Sequence, residues 1–136
     1  MNFIGHSTGG LITAGISGCY FFNSTNSFKI GLTSAITTYI FSLYPDMDIR
    51  STSRKLLTVA GLIATIALYI INPIFSIVML SLTLFPRLLP HRGFNHSLIM
   101  MCIVAVIWNT MFPGTVWAVM IGFLTHLVLD THFKLV

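Results

Sequence analysis

The stretch Leu56–Phe85, LLTVAGLIATIALYIINPIFSIVMLSLTLF, carries no charged residue and is interrupted once, at Asn72-Pro73. Proline cannot sit in a helix interior without breaking it, and asparagine favours caps and turns. The dipeptide therefore divides the run into Leu56–Ile71 and Ile74–Phe85. A helix that spans a bilayer needs about 20 apolar residues, with about 17 near the lower limit. Leu56–Ile71 approaches that length. Ile74–Phe85 falls short of it and reads either as a short crossing or as a re-entrant segment. Much depends on that choice. Only if Ile74–Phe85 crosses do the polar residues before Leu56 and those after Phe85 share one side of a membrane.

Working outward, Thr8–Phe22 and Phe28–Tyr44 precede this pair, and Ser97–Phe112 and Thr115–Asp130 follow it. Their breaks carry ordinary turn chemistry: Asn23-Ser24-Thr25-Asn26, Pro45, Pro86 and Pro90, and Pro113-Gly114. The apolar runs are continuous rather than alternating, which disfavours a β-barrel. Composition agrees. Of 136 residues 55% are hydrophobic and only 7% charged, against about 25% charged in a soluble domain. Mean hydropathy is +0.89. So few charges could not cover a water-soluble fold, whereas a bilayer asks mainly that backbone groups be satisfied internally, as helices do. The expected fold class is all-α: a polytopic integral membrane helical bundle of about six segments, some short or re-entrant, in a single membrane-embedded domain over residues 1–136.

Cys19 and Cys102 lie in apolar runs and make neither a CxxC site nor a disulfide framework. Ile16-Ser17-Gly18-Cys19 looks like a lipoprotein cleavage box, but no Lys or Arg precedes it, so no cleavable signal is expected. The excess of 7 Lys+Arg over 3 Asp+Glu is too small and too spread out to suggest nucleic acid as a partner. It carries topology instead. With six crossings, Arg50, Arg54, Lys55, Arg87, Arg92 and Lys134 share the side of Met1, and only Lys29 lies opposite. Basic residues mark the cytoplasmic side, so both termini are expected there, in a bacterial or archaeal cytoplasmic (inner) membrane.

The same map gathers the chemistry. His6, Asp46, Asp48, His91, His96, His126, Asp130 and His132 are all the acids and histidines of the chain, and all fall on that face. His126 and Asp130 are spaced i, i+4 and share one helix face, where they can hold one metal or cap the helix. Asp46 and Asp48 follow Pro45, where two carboxylates can meet one cation or simply form a turn. His91-Arg92-Gly93-Phe94-Asn95-His96-Ser97 places two imidazoles about a glycine that permits a tight turn. Arg92 offers a forked donor set suited to phosphate or carboxylate, or alternatively meets lipid headgroups. His6 is either a ligand or a plain terminal histidine. His132 lies off the His126 face and is set aside. Imidazole and carboxylate together suit zinc and similar ions. Seven of these eight residues lie in four short clusters, so they are read jointly as one site built from the loops and helix ends of one face.

Gly5-His6, Leu43-Tyr44-Pro45-Asp46-Met47-Asp48, His91 to Ser97 and His126-Leu127-Val128-Leu129-Asp130 follow one another in an order that resembles the YdjM-like family of inner-membrane predicted metal-dependent hydrolases. Tyr44 departs from that pattern, which more often has an aliphatic residue there. The resemblance implies a metal site made by His6, Asp46, Asp48, His91, His96, His126 and Asp130. The order of His and Asp is also similar to that of the zinc-dependent phospholipase C group, which points toward phosphoesters.

Seven donors exceed the needs of one four-coordinate zinc, so one or two divalent ions are expected, zinc first, with manganese or iron as alternatives. The expected activity is hydrolysis of an ester or phosphoester of an amphiphilic or lipid-like substrate by metal-activated water. Asp46 or Asp48 would accept a proton, and Arg92 would hold the substrate anion. The expected partners are the bilayer and a lipid or lipid-linked phosphate. Two rivals stay open: a metal ion transporter or channel, and a non-catalytic membrane protein with a structural metal site. A transport path needs polar groups through the membrane, and the half away from the site offers only Ser, Thr and Asn besides Lys29.

Overall fold

The computed structural model describes residues 3–48, 52–88 and 94–130, without the side chains of Phe3 and Asp48. Among the described residues six α-helices follow one another: α1 (Phe3–Thr25), α2 (Phe28–Leu43), α3 (Thr52–Ile71), α4 (Pro73–Leu84), α5 (Leu98–Met111) and α6 (Val116–Leu129). Short 3-10 turns occupy Tyr44–Asp48, Phe85–Leu88 and Phe94–His96, and no β-strand occurs among the described residues. The class is all-α, as the continuous apolar runs predict.

Local chemistry sets the boundaries. Asn26 adopts φ +51°, the left-handed conformation that ends a helix, and α2 begins at once behind Ser27. Asn72 caps α4 by accepting from the N–H groups of Ile74 (3.0 Å) and Phe75 (3.4 Å), with Pro73 at the first helical position where its missing N–H does no harm. Ser97 caps α5 through the N–H of Met100 (3.1 Å). Gly114, at φ +86°, makes the turn into α6 and donates its N–H to Asn109 Oδ1 (2.9 Å). Two starts differ from the apolar reading. α1 begins at Phe3 rather than Thr8, and α3 at Thr52 rather than Leu56. Hydropathy sees only where side chains are greasy. α3 runs on through the polar stretch Thr52–Lys55, and α1 through a first turn that buries His6 against His126 of α6.

α4 runs back along α3. Ser76 donates to the carbonyl of Thr65 (2.9 Å), and a Cβ on Gly61 would sit 2.3 Å from Thr83 Oγ1. Position 65 thus faces 76 and position 61 faces 83, an antiparallel pair. The turn after α4 returns beside the turn after α2, and a hydrogen bond ties the latter to the last turn of α4. The carbonyl of Leu82 would ordinarily accept from the residue four on, but that residue is Pro86, which has no N–H. The Tyr44 hydroxyl donates instead, at 2.9 Å. Tyr44→Phe is therefore expected to cost about 1–3 kcal/mol by stranding that buried carbonyl. Thermal unfolding of the detergent-solubilised variant measures it, and an unchanged midpoint would mean that the carbonyl has another donor.

α6 lies at the centre, against α1, α2 and α5. Its buried positions Ala118, Val119, Gly122, Phe123, His126 and Leu127 recur at helical spacing, so one stripe carries both the packing and a histidine. Large apolar side chains face outward: Ile70 is 84% exposed and Leu88 80%. Small hydroxyl residues face inward, with Ser34, Thr38 and Ser42 all at 0%. The Thr38 hydroxyl links Ser17 Oγ (3.0 Å) and the carbonyl of Ala118 (3.2 Å) across three helices. By length and hydropathy, α3 is the one helix among the described residues able by itself to cross a membrane. α5 and α6 are apolar, but each has 14 residues, or about 21 Å at 1.5 Å per residue.

Candidate metal centre

Five of the sequence-predicted residues meet at one end of the helices. His6 comes from the start of α1, Asp46 from the turn after α2, His96 from the turn before α5, and His126 and Asp130 from the end of α6. The three imidazoles are at most 2% exposed, and Asp130 is 7% exposed. His91 and Arg92 lie outside the described residues, as do His132 and the side chain of Asp48.

His126 organises the cluster. Its Nδ1 lies 2.9 Å from the carbonyl oxygen of Ser42. A carbonyl only accepts, so Nδ1 carries the proton and Nε2 presents a lone pair. Ser42 is in the last turn of α2, where carbonyls lack helical partners, and the residue three on is Pro45, which has no N–H. The break that ends α2 thus leaves an acceptor to hold the histidine of α6. Nε2 of His126 then sits 3.5 Å from Asp46 Oδ1 and makes no hydrogen bond among the described residues. The same Oδ1 lies 3.8 Å from His96 Nε2. The His6 ring stacks on that of His126 with centroids 4.1 Å apart and 12° between planes, and its Nε2 is 3.9 Å from Asp130 Oδ1. His96 meets His126 more steeply, at 5.3 Å and 60°.

Within two groups, His6/Asp46/His126 and His96/His126/Asp130, every ligand atom lies within 4.8 Å of the others. His126 belongs to both. Bonds of about 2.0–2.1 Å in a tetrahedron put neighbouring donors about 3.3 Å apart. Within the first group, His126 Nε2 and Asp46 Oδ1 at 3.5 Å are close to that, and 4.8 Å is the outer limit in both groups. The donor set and an imidazole held through its far nitrogen by a carbonyl, the usual outer-shell support of metal-binding histidines, fit a divalent cation. Electrostatics agree at Asp46. Burial pushes its carboxyl up, but the side chains of His96, His126 and His6 around it outweigh this and hold it below the usual carboxylate range. A carboxyl held in that direction is ionised at neutral pH.

Two participants were not visible as side-chain chemistry. Ser42 acts through its backbone carbonyl, for which the only local signal is a proline three residues on. Leu129 fills the space over Gly9, where a Cβ would come 2.4 Å from Leu129 Cδ1. This close approach of α1 to α6 brings His6 over His126.

No curated protein and no solved structure matches the chain. A family model described as the YdjM inner membrane protein matches residues 1–134, which associates the chain with the bilayer of an inner membrane. The gathered histidines and aspartates therefore sit in a chain that belongs to the YdjM family of inner membrane proteins.

Proposed function

We propose that the chain is a polytopic membrane bundle, a single domain over residues 1–136, with a metal-dependent hydrolase site at its cytoplasmic end. The inside-out distribution of side chains supports the membrane reading. Hydrocarbon welcomes exposed Ile and Leu, and helices in lipid pack through small and hydroxyl residues such as Ser34, Thr38 and Ser42. The start of α1, the end of α2, the start of α5 and the end of α6 all meet in one cluster, as six up-and-down segments require, with α4 as the fourth crossing. The short α5 and α6 fit a bilayer that thins locally or helices flanked by interfacial turns. Arg54, Lys55 and Arg87 flank the same end and Lys29 the other, which supports the cytoplasmic assignment.

The observation that carries the functional reading is the His126 Nε2 lone pair, buried, oriented from behind by Ser42 and facing an ionised Asp46. His6, Asp46, His96, His126 and Asp130 would hold one or two divalent ions, zinc first, with Asp48 and His91 as further donors. Such an ion lowers the pKa of water and polarises an ester or phosphoryl oxygen. The chain supplies the rest. Ser42 holds the His126 ring, burial of the three imidazoles limits water, and Asp46 or Asp48 takes up a proton. Arg92 binds the anionic part of an ester or phosphoester whose apolar remainder stays in the membrane.

The test is metal analysis of the purified protein followed by turnover on ester and phosphoester substrates. We expect about one to two zinc ions per chain, from seven donors against four coordination positions, and turnover that a chelator removes. Bound metal without turnover on any member of such a panel would favour a structural ion. Metal flux into liposomes, lost in Asp46→Asn, would favour transport.

A further inference from the structure

We propose that a cavity beneath the Tyr44–Asp48 turn receives a hydrocarbon chain of the amphiphile whose polar end is hydrolysed at the metal centre. This rests on the hydrolase reading above and names the part of the substrate that the fold grips. The cavity, of about 100 Å³, lies between α2, α3, α4 and α5. An engineered apolar cavity of about 150 Å³ accepts benzene, so the space suits a segment of chain rather than a headgroup.

The shared turn connects cavity and centre. In a 3-10 turn, residues three apart lie on one side. Tyr44 and Met47 are so spaced, and both line the cavity, while Asp46 between them reaches His96 and His126. From that turn the wall descends along α3 from Leu57 to Ala64, about 10 Å at 1.5 Å per residue. Trp108, on α5 well below the His96 turn, lies farther in. A chain entering beside Asp46 would run toward the middle of the bundle, as a lipid tail runs from its headgroup.

The wall is also dry. Tyr44 Oη is committed to the carbonyl of Leu82 (2.9 Å), and Thr83 Oγ1 to that of Met79 (2.8 Å). Trp108 Nε1, without a hydrogen-bond partner among the described residues, is the one polar side-chain group left. The two hydroxyls keep acceptor lone pairs, but the rest of the lining side chains are carbon and methionine sulfur, which offer a buried water little to bind. The mouth is at Ala60, which is exposed, beside Gly61 and Ala64, which are half-buried. It opens on the same side of α3 as the outward-facing apolar residues, so a tail can enter sideways from a surrounding bilayer.

Trp108 reports on the cavity. The chain has two tryptophans, and Trp117 is exposed. In Trp117→Phe, reconstituted into nanodiscs of dioleoylphosphatidylglycerol, emission comes from Trp108 alone. Replacing the lipid by its 9,10-dibrominated form is expected to quench that emission severalfold. Ala64→Phe, which fills the cavity, is expected to abolish most of the quenching. Ala60→Phe at the exposed mouth gives a second block should the interior substitution fail to fold. No quenching, or equal quenching in both blocked variants, would overturn the proposal. Zinc content of the same preparations separates the two readings: zinc without quenching removes the chain site and leaves the centre, while quenching without zinc does the reverse.

Discussion

His126→Ala is expected to abolish divalent metal binding, whereas His6→Ala should weaken it. The difference follows from position. His126 contributes to both groups of converging donors, and His6 to one. Without His6, the His96/His126/Asp130 group keeps three ligands. Without His126, neither group does. Loss of outer-shell support at metal sites costs about 10–100-fold in affinity, and loss of the shared ligand itself should exceed that, at least about 100-fold. The substitution also strands the Ser42 carbonyl, adding about 1–3 kcal/mol of destabilisation, and removes the ring on which His6 stacks. Zinc titration against a competing chelator, with circular dichroism to confirm helicity, measures the effect. Affinity within a few-fold of the unsubstituted protein would reject His126 as the shared ligand.

Gly122→Ala should be the most damaging single methyl in the fold. A Cβ at this position would lie 2.2 Å from the carbonyl oxygen of Thr38, 3.0 Å from its carbon and 3.1 Å from Phe41 Cβ. The first two are α2 backbone and cannot swing aside, so α6 must move bodily. Overpacking of this kind costs about 1–3 kcal/mol, and more where the backbone resists. The consequence reaches the centre because His126 lies one turn farther along the same stripe. Moving α6 off α2 lengthens the 2.9 Å contact from Nδ1 to Ser42 and turns Nε2 away from Asp46. Both thermal stability and zinc affinity should fall together. Gly15→Ala is the control: nothing lies within 4 Å of its added Cβ, and it should stabilise α1 by about 0.5–1 kcal/mol. Equal behaviour of the two variants would show that α2 and α6 are not in backbone contact.

Much of the fold was legible because a helix is written in contiguous residues. Six apolar runs separated by Asn, Pro and Gly became six helices separated at those points, and Asn72-Pro73 capped α4 as its side-chain chemistry dictates. The i, i+4 pair His126/Asp130 was readable for the same reason, since helical spacing alone puts the two on one face. The boundaries of α1 and α3 were not legible, because apolarity marks where a helix is greasy and not where its backbone hydrogen bonds begin.

The amino-acid sequence alone determined composition, helical periodicity, the punctuation between helices and the concentration of acids and histidines near alternate helix ends. Each of these depends on residues a few positions apart. Tertiary structure decided which of those groups actually meet. Asp46 stands between His126 and His96, His6 stacks on His126 rather than fraying at a terminus, and a carbonyl of α2 orients an imidazole of α6. Those contacts join positions 50 to 120 residues apart, and they hold because glycines and hydroxyl residues let α1, α2 and α6 approach to backbone contact. The nature of the donors is thus a local property of the chain, and their convergence is a property of how closely its helices pack.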